Sequence, residues 1–297
     1  MTSPGPHRLI ALALASIAAA GCSVSTRLPR HPRGPVVLEI RGDVQGAPFQ
    51  LGNADLAELE QRTFRGVDPA APGGAEVRFS GVDLGLLVGD RLALTGDADT
   101  VIVHTSDEEA VPVPLSAFRQ LRPVLADRAD GAPLGARVVA WPNVAQPGVS
   151  SDPRAPSWWA RRVTALEVVS GPRTVGQALH LPEFAPPGAR AGAALFGDRC
   201  LACHRVQHGG GRRGPDLTRA ADRLDRPTLR QKLEGHPGWV IPGQAEPTPE
   251  AAAQLDAFLR TVAAVDALGA PTVEPATEPA PEPGPPEPRP GPQPPGG

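Results

Sequence analysis

The chain is poor in sulfur: its 297 residues include three cysteines and one methionine, Met1. Two of the cysteines stand together at Cys200 and Cys203, and the third lies far away at Cys22. No second cysteine pair exists to complete a four-ligand zinc site, and no disulfide framework is read. Charge of one sign is also missing. A net charge of −3 and the lack of a basic stripe with interleaved aromatics exclude a nucleic-acid partner. No Ser-His-Asp order, glycine-rich phosphate loop or paired-carboxylate arrangement stands out. The apolar run near the N-terminus, Leu9 to Ala20, is too short for a permanent bilayer span.

Proline and glycine are abundant, at 38 and 33 residues, which implies many turns and linkers. The length allows two compact domains with flanking segments. His7 and Arg8 followed by the apolar run read as an export signal over residues 1–22. Ala19-Ala20-Gly21-Cys22 resembles a bacterial lipobox, with Ala19 where leucine is usual, so Cys22 is expected to be acylated and to anchor the chain. Ordinary cleavage nearby would instead leave Cys22 as an idle thiol, a liability in an oxidising compartment. Residues 23–34 read as a tether. Residues 269–297, almost entirely Pro, Glu, Gly, Ala and Thr, cannot bury enough apolar area to offset their ordering entropy and read as a disordered tail.

The pattern Cys200-Leu201-Ala202-Cys203-His204 is that of covalent c-type haem attachment. Each thiol adds to one porphyrin vinyl group, and the turn then aims His204 at the iron as its proximal ligand. A zinc knuckle lacks further ligands at suitable spacing, and a thioredoxin-like redox pair lacks the preceding strand. The expected cofactor is one covalent haem c. Because such haem is attached outside the bacterial inner membrane, the motif and the export signal agree on the cell envelope, facing the periplasm.

Residues 187–268 resemble a class I cytochrome c. The resemblance rests on AGAALFGDRCLACH, on Gly214-Pro215-Asp216-Leu217, and on a C-terminal helix opened by Thr248, Pro249 and Glu250 that carries Leu255, Phe258, Leu259 and Val262 at helical spacing. It implies that Gly192 and Phe196 meet Phe258 where two helices cross. It also implies that the Pro215 carbonyl accepts the Nδ1 proton of His204. Such domains usually supply a methionine as second axial ligand, but Ile241 occupies that place on the distal side. Either the sixth position is open, which suits a small gas, or His236 fills it; His208 is badly placed, four residues after His204. Both options lower the potential relative to Met/His ligation. Gly209-Gly210-Gly211 reads as slack in the loop.

Residues 35–170 read as a strand-rich α+β domain. Strands are expected at Val36–Ile40, Glu76–Phe79, Val101–His104, Arg137–Ala140 and Val163–Val169, a helix capped by Asn53, and another over Pro114–Gln120. His104 and Arg119 read as structural or solvated, and Trp158 and Trp159 as core. The order of LGNADLAEL, VRFSGVDLGLLV, VIVHTSDEEAVPVPLSAF and SWWARRVTALEVV resembles the molybdopterin-binding domain of the sulfite-oxidase family. The resemblance implies a cysteine ligand to molybdenum in the segment Gln61 to Ala75, which contains none, so no molybdopterin is expected. A linker over 171–186 is expected between the domains.

The fold expectation is therefore a multidomain chain: a sulfite-oxidase-like α+β domain, then an all-α cytochrome c domain. The functional expectation is an envelope-anchored monohaem cytochrome that transfers electrons to or from a redox partner protein, the membrane being reached through the lipid. Enzymatic activity is not the leading expectation. The alternatives are a haem part of a sulfite-dehydrogenase-type oxidoreductase, and a gas-binding haem protein with an open distal site.

Overall fold

A computed structural model describes residues 28–29, 31–152, 154–207, 209–236 and 247–268. Two cores organise them, one per domain. The expected signal sequence, Cys22 and tail lie outside the described residues, as do His208 and Ile241. Among the described residues, no helix is long and apolar enough to cross a membrane.

The first domain contains β1 (Leu38–Gly42), β2 (Phe49–Leu51), α1 (Asn53–Ala57), β3 (Gln61–Val67), β4 (Glu76–Asp83) and the short helix α2 (Leu84–Leu86). It continues with β5 (Thr100–Thr105), β6 (Ala110–Pro114), α3 (Leu115–Leu121), β7 (Val124–Ala129), β8 (Ala132–Ala140), α4 (Gly148–Ser151) and β9 (Val163–Val169). Two sheets form, ordered β2-β1-β9-β5-β6 and β3-β4-β7-β8. The pairing of β1 with β9 is parallel, Ile40 lying opposite Leu166, and the other pairings in both sheets are antiparallel. Val101, Ile102 and Val103 are consecutive and all buried, as expected of a β-branched run in a strand with neighbours on both sides. The first core contains Leu38, Ile40, Phe118, Leu125, Trp141 and Leu166, and the Trp141 indole donates to the Trp158 carbonyl at 3.0 Å. Trp158 and Trp159 are buried in this core.

Several local expectations need correction. Gly52, not Asn53, caps α1: Asp55 reaches back to accept from the Gly52 N–H at 2.7 Å, while the Asn53 amide oxygen accepts from Arg137. A glycine offers no side-chain cap, so the carboxylate three positions on supplies the capping contact. The stretch read as tether is engaged by Arg33, whose side chain binds Asp55 and Glu58 at 2.6 Å each.

The second domain comprises α5 (Gly171–Ala178), α6 (Pro187–Arg199), β10 (Arg205–Val206), β11 (Gly209–Gly210), α7 (Ala220–Arg223), α8 (Arg226–Glu234) and α9 (Pro249–Ala267). Residues 171–186 are more than a linker. They carry α5 and send Ala178, Leu181 and Ala185 into the second core, since Val175, Ala178 and Leu179 share one helical face. Proline opens both α6 and α9, and the Thr248 hydroxyl accepts from Ala251 N–H at 3.3 Å. Helices α6 and α9 cross at Gly192, where a Cβ would lie 2.0 Å from the Gln254 carbonyl oxygen and 2.8 Å from the Phe258 Cβ. One turn on, the Phe196 and Phe258 rings stand 5.2 Å apart.

Candidate cofactor-attachment site

The site begins where α6 ends. Cys200 N–H bonds to the Phe196 carbonyl at 2.8 Å, and Cys203 and His204 N–H groups both turn back to the Cys200 carbonyl at 3.1 and 2.8 Å. This tight turn brings the two sulfurs and the imidazole onto one loop. The following chain clamps it: Gly211 N–H binds the Leu201 carbonyl and Gly214 N–H binds the Cys203 carbonyl, each at 2.8 Å.

The three glycines at 209–211 are packed, not slack. Gly209 and Gly210 pair with Arg205 and Val206 as β11 against β10. A Cβ on Gly209 would sit 2.3 Å from Ala178 Cβ, and one on Gly211 would sit 2.0 Å from the Ala202 carbonyl oxygen. Gly210 has φ +104° and is as tightly enclosed, its Cβ position 2.2 Å from the His204 carbonyl oxygen. A local reading of three glycines suggests freedom; the contacts that require them come from α5 and from the attachment loop itself.

His204 is buried, and its Nδ1 lies 2.9 Å from the Pro215 carbonyl oxygen. With the proton held there, Nε2 keeps its lone pair for a metal. The backbone of Gly214 lies flat against the ring, where a Cβ would come within 2.5 Å of Nδ1. Burial pushes the Cys200 thiol up to about 12, against a smaller opposing effect of Arg199. Cys203 is raised as well, by burial first and then by the Glu109 carboxylate. Both sulfurs are therefore held as neutral thiols. His236, on the turn after α8, places its ring centre 5.4 Å from that of His204. Burial and then His204 hold its pKa below the ordinary value.

The first domain reaches into this site. The Ala110 N–H binds the Ala202 carbonyl, and the Arg212 N–H binds the Glu108 carbonyl, both at 2.8 Å. Ala202, between the two cysteines, packs against the first core. Glu109 forms an ion pair with Arg213 and stands 3.7 Å from Cys203 Sγ. The pairing of Glu109 with Arg213 had no signal in the sequence, because 104 positions separate them.

The remaining candidates lie elsewhere. His104 binds Glu167 at 2.6 Å with Arg41 beside it, and Arg119 lies in the last turn of α3. The segment Gln61 to Ala75 forms β3 and the loop after it, where Asp68 is paired with Arg161. A cavity of about 440 Å³ lined by Pro69, Ala70, Trp159, Arg161, Arg162 and Arg213 adjoins that loop, with no cysteine among its lining residues.

Known proteins fall on the two parts of the chain unequally. A family model described as Cytochrome c matches residues 189–263. No curated protein matches the chain. Among solved structures, the sulfane dehydrogenase SoxCD from Paracoccus pantotrophus is similar at 16% identity, over 49% of this chain and 42% of that one, with a TM-score of 0.34. The chain thus spans less than half the length of that relative.

Proposed function

We propose that the chain is an envelope-anchored monohaem cytochrome that exchanges electrons with a protein partner, since its cytochrome c domain at residues 189–263 implies covalently bound haem c. One observation carries the reading: Cys200, Cys203 and His204 share a single tight loop, and the histidine is already oriented by Pro215. The residues present fit the group. Cys200 and Cys203 would hold the porphyrin as thioethers, and His204 Nε2 would bind its iron. A haem so held takes up and releases one electron at a time.

The polypeptide supplies the rest. Pro215 keeps the Nδ1 proton in place, which fixes the ring and raises its basicity. The α6–α9 crossing, wedged by Phe196 and Phe258, supports the loop from behind. We assign His236 as the second residue that would hold the iron, in preference to ligation by His204 alone. The support is the 5.4 Å between the two ring centres, close enough for both imidazoles to reach one iron, to which each nitrogen would bind at about 2 Å. Two imidazoles and no thioether favour a lower potential than Met/His ligation.

The first domain is read as a cofactor-free relative of the molybdopterin-binding domain, a scaffold retained without its metal ligand. Support comes from the Gln61 to Ala75 segment, which has no cysteine. Acylation of Cys22 would hold the chain on the membrane facing the periplasm, each buried CH₂ adding about 0.8 kcal/mol.

Metal analysis and optical spectra of the full chain, matured in a host that makes both cofactors, test these points together. The expected result is one iron per chain, no molybdenum, a low-spin ferrous spectrum unaffected by carbon monoxide, and loss of the low-spin form in His236→Ala. Stoichiometric molybdenum would overturn the electron-carrier reading. Rapid carbon monoxide binding by the unaltered protein would overturn the assignment of His236. Mass spectrometry of the mature N-terminus decides the anchor, an unmodified Cys22 refuting it.

A further inference from the structure

We propose that Glu109 of the first domain sets the redox potential of the haem bound to the second, with Arg213 as its counter-charge. The proposal rests on haem attachment at Cys200 and Cys203 and adds a role for a residue outside the cytochrome domain. Four contacts bring Glu109 to this place. The backbone of Ala110 holds the carbonyl of Ala202, and the carbonyl of Glu108 holds the N–H of Arg212, at 2.8 Å each. Between these two bonds the Glu109 carboxylate lies 3.7 Å from Cys203 Sγ and pairs with Arg213. Glu108 takes a left-handed backbone conformation, φ 62°, to make the turn that delivers its neighbour.

Chemistry at Cys203 changes what Glu109 can bind. A thiol can donate to a carboxylate, but a thioether has no proton to give. Once the sulfur is alkylated, Glu109 keeps Arg213 as its charged partner and remains a fixed negative charge beside the attachment point. Its side chain is 19% exposed against 58% for Arg213, so water screens the carboxylate less than the guanidinium. A negative charge near haem favours the ferric form and lowers the potential, and a positive charge does the reverse. The two residues therefore act in opposite directions on the same iron, and the less exposed member weighs more.

The experiment is spectroelectrochemical titration of the haem-loaded full chain and of Glu109→Gln, Arg213→Gln and the double variant. Glu109→Gln should raise the midpoint potential, Arg213→Gln should lower it by a smaller amount, and the double variant should lie between them. A role limited to holding the domains together predicts something else: either substitution loosens the same contact, so both potentials would move in the same direction. Shifts of the same sign, or no shift in either variant, overturn the proposal. Covalent haem is scored separately by its absorbance after denaturation, so a chain without attached haem refutes the functional reading itself, and the proposal with it.

Discussion

Adding one methyl group at Gly192 should distinguish two positions on a single helix. A Cβ there would lie 2.0 Å from the Gln254 carbonyl oxygen, whereas ordinary contact begins near 3.4 Å. Relief requires α6 and α9 to part by about 1.4 Å at that level, because the obstacle is backbone and has no rotamer to change. Such parting also loosens the contact between Phe196 and Phe258 one turn away. Overpacking costs about 1–3 kcal/mol, toward the upper end against a carbonyl. Better helix propensity returns about 1 kcal/mol. A net loss of about 2 kcal/mol should lower the melting temperature of the cytochrome domain by roughly 8–16 °C. Gly188 faces the same partner helix, yet its Cβ position lies 4.0 Å from the Ala257 Cβ. Gly188→Ala should leave the protein unchanged or more stable by up to about 1 kcal/mol. Thermal melts of the holoprotein followed by far-ultraviolet circular dichroism and by haem absorbance give both numbers. If Gly192→Ala melts at or above the unaltered protein, the close crossing of α6 and α9 is wrong.

Two other outcomes are expected. In the folded chain before haem attachment, Cys200, held near 12 against an ordinary 9.0, should alkylate at pH 8 at least about 10-fold more slowly than after denaturation. Peptide mapping after timed iodoacetamide treatment measures this, and equal rates would refute the burial of that thiol. Glu167 has its pKa lowered chiefly by the hydrogen bond from His104, so its contribution to stability is present above its ordinary 4.5 and is lost as pH falls through the lower folded value. Glu167→Gln should therefore cost on the order of 1 kcal/mol at pH 7, with the gap closing as the pH falls below the ordinary 4.5 in denaturant titrations. A gap that widens on acidification would reverse the sign of this linkage.

The attachment loop was legible because its chemistry is local: two thiols and an imidazole must fall within five consecutive residues. The α6–α9 crossing was legible for a related reason, since Gly192, Phe196 and Phe258 lie at helical spacing in a recognisable frame. Strands rich in β-branched residues, such as Val101 to Val103, were also plain. By contrast β3, QRTFRGV, carries Arg62 on the same face as Phe64 and Gly66 and Arg65 on the other, which breaks its apolar alternation, and β7 carries charge at Asp127 and Arg128. β3 pairs with the next strand, β4, and β7 pairs with the next strand, β8, and with the more distant β4, partners that a periodicity of two does not identify. The same limit hid the role of the three glycines and of Glu109. In each case the deciding contact is tertiary, and the residue is locally ordinary.

The parallel pairing of β1 with β9 has a consequence for the order of events during folding. Glu39 and Ala165, near opposite ends of the first domain, are neighbours in the interior of its larger sheet. As the chain emerges, β1 has only the short β2 beside it until nearly the whole domain has been made. Closing so long a loop before the pairing repays it makes this a slow step. The sheet therefore completes late, just before the segment with Cys200 and Cys203 appears. The turn that holds Glu109 connects β5 to β6, and β5 also pairs with β9. Its docking platform for the attachment loop is thus incomplete until β9 has joined the sheet, and a pause in the first domain would leave the cysteines uncovered for longer.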